Sequence, residues 1–123
     1  MIALQIAELR PYAKKVDVLV RALEKSEPRE VTSKLDNQGH KVTEALVGDA
    51  SGTILLTLWD EAIDKVAVGK CYTLSNAFTS LFKNTLRLNI GRYGKLEETA
   101  EEIQANPQNN LSEKEFESRG RPY

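Results

Sequence analysis

Apolar and polar residues alternate with a period of two along most of the first 90 positions, the pattern of strands with one buried face. Val16, Val18 and Val20 interleave with Asp17, Leu19 and Arg21, which predicts a first strand from about Lys15 to Glu24; helical spacing fits this stretch poorly. Breaker residues follow at Ser26, Glu27 and Pro28. The run Leu35-Asp36-Asn37-Gln38-Gly39-His40 then has the composition of a long hairpin's tip. A second strand is expected from Val42 to Gly48, a tight turn through Asp49, Ala50, Ser51 and Gly52, and a third strand from Thr53 to Trp59. Asp60, Glu61, Ala62, Ile63, Asp64, Lys65 and Val66 suit one or two helical turns with Asp60 as cap and Gly69 as stop. A fourth strand is expected from Cys71 to about Phe78. A fifth runs from Leu86 to about Ile90, with Leu86, Leu88 and Ile90 inward and Arg87 and Asn89 outward. Residues from Glu97 to Gln104 carry helix-favouring glutamates, and the polar stretch from about Asn106 to Tyr123 reads as disordered.

Five short strands with a small helix between the third and fourth give the element order of an OB-fold, a five-stranded all-β barrel. Its core would be the inward rows Val16, Val18, Val20, Ile54, Leu56, Leu58, Leu86 and Leu88. Composition agrees: 123 residues, 41% hydrophobic and 28% charged, suffice for one compact core. No apolar run reaches the length of about 18 residues that spans a bilayer, and the first residues lack the blocks of a signal peptide. One cysteine, Cys71, and one histidine, His40, exclude an internal disulfide and a self-contained Cys/His zinc site; a reducing, cytoplasmic compartment is expected.

The net charge of −1 conceals an uneven distribution. Residues 1–96 balance to +3 and residues 97–123 to −4, so the chain divides into a mildly basic domain over 1–96 and a flexible acidic tail over 97–123. From Lys65 to Leu96 there are six cations, Lys65, Lys70, Lys83, Arg87, Arg92 and Lys95, and no acid, a footprint that suits phosphate.

Trp59 shares parity with Leu55 and Thr57, opposite the core row, and so points outward; capping one end of the barrel is the competing placement. Phe78 and Phe82 lie among small and polar residues with Lys83 immediately after. Phe78 also shares the register of Leu74, so it packs inward unless a bulge intervenes. Outward rings beside Lys83, Arg87, Arg92 and Lys95 would combine a stacking surface with a cationic groove, the requirement for sequence-tolerant single-strand binding.

The runs Val16 to Glu24, Ala45 to Gly52, Leu56 to Trp59 and Asn76 to Lys83 resemble the archaeal single-OB-fold single-stranded DNA-binding proteins, relatives of the eukaryotic sensor-of-ssDNA subunit and of RPA-type OB domains. The resemblance implies a non-catalytic protein that coats single-stranded DNA in replication, recombination or repair. It places base stacking on Trp59, Phe78 and Phe82, and phosphate contacts on Arg29, Lys83, Arg87 and Arg92. It also implies that Leu9-Arg10-Pro11 plugs the lower end of the barrel, and that the protein is nucleoid-associated with no cofactor. Leu55 stands where some relatives carry a basic residue, and Asn89 stands near an aromatic of the eukaryotic relatives, which leaves the stacking set at three. The tail, with its tip Ser118 to Tyr123, is a candidate docking segment for repair or replication proteins, or a solubilising end.

Competing functions have weaker support in the sequence. Cys71 and His40 as nucleophile and base, or Asp60, Glu61 and Asp64 as a carboxylate set, lack the rest of a catalytic constellation, and Gly91-Arg92-Tyr93-Gly94 lacks the spacing of a phosphate loop. An OB-fold protein-interaction subunit would use the same exposed aromatics, but has no general need of six cations. Single-stranded RNA presents the same stacking faces and phosphates as DNA.

Overall fold

The computed structural model describes residues 4–32, 39–82, 84–90, 94–106 and 108–113. Seven strands occur among them: β1 (Val16–Lys25), β2 (Arg29–Thr32), β3 (Gly39–Asp49), β4 (Gly52–Trp59), β5 (Cys71–Phe82), β6 (Thr85–Asn89) and β7 (Lys95–Thr99). β1 pairs with β3 through Arg21–Lys25 and with β5 through Val16–Arg21, so the path β1-β3-β4-β6-β5 returns to β1 and the sheet closes on itself. All contacts along this path are antiparallel except β4 with β6, which run parallel. Closure in this order is the OB-fold. Inside, every residue of the expected core rows is fully buried, joined by Ile6, Leu9, Val47, Ile63, Val66, Leu74 and Ala77.

Two strands exceed the five expected. β2 pairs with the outer half of β3 and lengthens that hairpin; of its expected tip, Leu35 to His40, residues 35–38 lie outside the described residues, while Gly39 and His40 belong to β3 and pair with Thr32 and Val31. β7 replaces the helix anticipated beyond Glu97: it pairs with Cys71–Ser75 at the free side of β5, and this ladder overrides the helix preference of its glutamates. The small helix is a 3-10 turn, Asp60–Lys65, without a side-chain cap. Asp60 is not its cap, because both carboxylate oxygens are engaged elsewhere: Oδ1 accepts from the Lys41 amide at 2.9 Å and Oδ2 meets His40 Nδ1 at 2.8 Å. The other end is fixed by Lys25, whose ammonium donates to the carbonyls of Ile63 and Val66 at 2.7 and 3.0 Å.

The stretch read as disordered from Asn106 is folded as far as it is described, to residue 113. Asn106 donates its amide to Asp49 O, Asn109 O accepts from Thr53 N at 2.9 Å, and Leu111 joins the core. Ser112 Oγ accepts from Leu55 N at 2.8 Å and donates to Leu86 O. Residues 109–112 thus bridge β4 and β6 below the level at which those strands pair directly, at Leu55 and Arg87. Gly52 makes the approach possible, since a Cβ there would sit 2.6 Å from Asn109 O.

Candidate nucleic-acid interface

β4 presents Thr57 and Trp59 on the face opposite Ile54, Leu56 and Leu58, and Trp59 is 48% exposed, as parity predicts. β5 reaches the same face by a change of register. Val18 faces Leu74 but Val16 faces Ala77, so three steps of β5 match two of β1, and Asn76 takes up the extra residue at φ +54°. Its amide donates to Asp17 Oδ1 at 3.0 Å. Before this bulge Leu74 is inward; after it Ala77 and Thr79 are inward, while Phe78, Ser80 and Phe82 turn out. Phe78 is 37% and Phe82 50% exposed. The bulge therefore decides the question that parity alone left open.

Trp59 and Phe82 flank a recess of about 370 Å³ whose walls include Arg29, Val42, Glu44, Ser80, Arg87 and Asn89. A second recess lies between Trp59 and Phe78 and is bordered by Lys65, Asn89 and Leu96. The two share Thr57, Trp59 and Asn89, so the three rings stand along one groove across β4, β6 and β5. Among the described residues, the exposed large apolar side chains are Leu4, Tyr12, Trp59, Val68, Phe78 and Phe82. The three rings from β4 and β5 converge on this face, which makes it a coherent aromatic surface rather than scattered exposure.

The cations divide into groups. Arg29 is exposed on β2 at the groove wall. Arg87 lies in the groove with its side chain only 12% exposed: Nε donates to Glu44 Oε2 at 2.7 Å, and the guanidinium sits 5.5 Å from the centroid of the Phe82 ring. Its charge is matched by a carboxylate, and its plane supports the aromatic beside it. Lys70 faces Glu98 across 3.5 Å, so the acid-free run in the sequence is partly neutralised by acids from other strands. Lys83 and Arg92 lie outside the described residues. The sequence reading did not single out Lys14 and Lys15, which line a further recess beside Phe78, and nothing in their local pattern distinguishes them from ordinary surface lysines.

Asn89 Nδ2 donates to Ser80 Oγ at 2.9 Å, which ties the groove floor across β5 and β6. Leu9, in the segment expected to act as a plug, is buried in the core together with Ile6. Cys71 is buried at the start of β5, and His40 meets Asp60 rather than a thiol. Among the described residues no group of three or more His, Cys, Asp or Glu is placed to hold a metal, and no helix is long and apolar enough to cross a membrane.

Comparison with known proteins gives concordant results. Residues 9–98 match the family described as single-stranded DNA binding protein Ssb-like, OB fold. The single-stranded DNA binding protein Ssb of Saccharolobus solfataricus is 36% identical over 98 residues, covering 80% of this chain and 65% of that protein. An uncharacterized Arabidopsis thaliana protein is 31% identical over 102 residues, 82% of this chain and 66% of its own length. The chain thus spans just under two thirds of these curated relatives. The solution structure of a hypothetical Arabidopsis thaliana protein superposes with a TM-score of 0.79 at 26% identity, covering 100% of this chain and 91% of that one. DNA binding domain A of Saccharomyces cerevisiae Replication Protein A shares the fold, with a TM-score of 0.64 at 23% identity over 83% of this chain and 97% of that domain. With its closed strand order, its outward aromatic groove and a family match over residues 9–98, the chain belongs to the Ssb-like OB-fold family of single-stranded DNA binding proteins.

Proposed function

We propose that this protein binds single-stranded DNA with little sequence preference, coating exposed strands during replication, recombination or repair. The observation that carries the reading is the set of three outward aromatics, Trp59, Phe78 and Phe82, along one groove. Every unpaired base offers a π face, so stacking on these rings contributes about 1–3 kcal/mol per base without reading sequence. Arg29 screens phosphate at the groove wall, and Lys83 and Arg92 are assigned the same task. Arg87 acts chiefly through Phe82, holding the ring while Glu44 holds Arg87. Duplex DNA is a poor ligand because its bases are already stacked and paired. The role is binding rather than catalysis, and the acidic residues beyond the groove are available to recruit repair or replication proteins.

The test uses the single tryptophan. Titration with a thymidine oligonucleotide, at low and moderate salt, is expected to quench Trp59 fluorescence, more weakly as salt rises and scarcely at all with duplex. An RNA oligonucleotide titrated in parallel measures the preference between the two backbones. Absence of both quenching and a gel shift with every single strand would overturn the reading and favour a protein-binding OB domain.

A further inference from the structure

The groove continues past Phe78. On the other side of that ring lies a recess of about 470 Å³, within the range of ligand-sized sites (about 300–1,000 Å³). Phe78 and Ile90 line both this recess and its neighbour, so the two adjoin across that ring. Its far wall comes from residues that precede β1: Tyr12, 63% exposed, with Lys14 and Lys15. This wall is held in place rather than loosely appended. Thr79, buried on the inner side of β5, accepts from Ala13 N at 2.8 Å and donates to Arg10 O, while its own amide donates to Ala13 O at 2.9 Å. The backbone around Tyr12 is thereby clamped to the strand that carries Phe78, and Tyr12 adopts φ +60°. The neighbouring carboxylate, Asp17, is engaged with the Asn76 amide.

We propose that this recess is a further nucleotide subsite: Tyr12 stacks on the base that follows the one on Phe78, and Lys14 and Lys15 hold the adjoining phosphates. The occupant is the same single strand, because the recess adjoins the groove at Phe78 and its charged wall residues, Lys14 and Lys15, are cationic. The inference rests on the single-strand reading above and lengthens the strand path beyond the three-ring set.

Thymidine oligonucleotides of stepwise increasing length, followed by Trp59 fluorescence, test it. The wild-type protein gains affinity when the oligonucleotide becomes long enough to pass Phe78. Tyr12→Ala is expected to lose at least about fivefold in affinity for the longest oligonucleotides and nothing for the shortest. Tyr12→Asn removes the ring while keeping a residue suited to positive φ, and should behave alike. The Lys14→Gln/Lys15→Gln variant should flatten the log-log salt slope by about 1.4 on long oligonucleotides only. Tyr12 variants that match wild type at every length, or that weaken all lengths equally while quenching persists, overturn the subsite and leave the three-ring groove intact. Absence of any complex with the wild-type protein overturns both readings.

Discussion

The bulge at Asn76 lends itself to a test in which the sign of the result is decisive. Asn76 sits at φ +54° in the middle of β5, where asparagine and glycine are at ease and a β-branched residue is strained. Asn76→Gly and Asn76→Val both remove the same side-chain carboxamide and keep the backbone N–H that donates to Asp17, so their difference isolates the backbone. In a regular strand valine is the better residue, by up to about 1 kcal/mol across the strand-propensity scale. In the bulge the order inverts: the left-handed conformation costs a non-glycine residue roughly 1–2 kcal/mol, offset by about 0.5–1 kcal/mol for the greater freedom of unfolded glycine. The chain cannot relieve the strain by flattening β5. Doing so would drive Phe78 and Phe82 toward the inward positions of Ala77 and Leu81, overpacking the core and breaking the bonds from Thr79 to Arg10 and Ala13. Asn76→Gly should therefore be the more stable variant, by up to roughly 1.5 kcal/mol, a difference of a few degrees in Tm by circular dichroism. A higher Tm for Asn76→Val would refute the bulge, and with it the outward placement of the two phenylalanines.

Trp59→Ala should weaken binding to single-stranded DNA by about 1–3 kcal/mol, measured by gel shift because the fluorophore is lost. Glu44→Gln releases Arg87 from its ion pair, which should tighten binding and steepen the salt slope by about 0.7; an unchanged slope would mean that Arg87 serves Phe82 alone. Leu88→Ala, at a fully buried position of β6, should cost about 2–5 kcal/mol in urea unfolding. Gly52→Ala should destabilise by roughly 1–3 kcal/mol as the new methyl meets Asn109 O, and a wild-type midpoint would show that residues 109–112 are not held against β4.

The central strands were legible because each repeats one simple rule: every second residue is apolar, and burial follows parity at Val16, Val18, Val20, Ile54, Leu56, Leu58, Leu86 and Leu88. The edge strands obey no such rule. Arg29–Thr32 has only Val31 to bury, and Lys95–Thr99 has only Leu96, so both exist through backbone pairing with β3 and β5. Asp60 looked like a cap because caps are local, whereas its partners His40 and Lys41 arrive from β3. The ion pair of Arg87 was hidden for the same reason, since Glu44 lies 43 residues away in sequence. Trp59 was placed correctly by parity, but the orientation of Phe78 needed the bulge, and a lone asparagine in a strand leaves only a faint trace of one. The Tyr12 wall carries no periodic signal; it is brought to the groove by Thr79, a small polar residue on the inner face of β5.

Residues 109–112 bear on how the molecule keeps to itself. β4 and β6 run side by side with direct backbone pairing only from Leu55 and Arg87 onward, and below that point the amides of Thr53 and Leu55 and the carbonyl of Leu86 are met by Asn109 and Ser112. Left unmet, those groups would form an open strand edge, the feature that invites another chain to add a strand. The acidic C-terminal segment thus supplies an intramolecular guard: a chain cut after β7 would keep its aromatic groove but expose this seam, and would be expected to self-associate at concentrations where the longer chain does not.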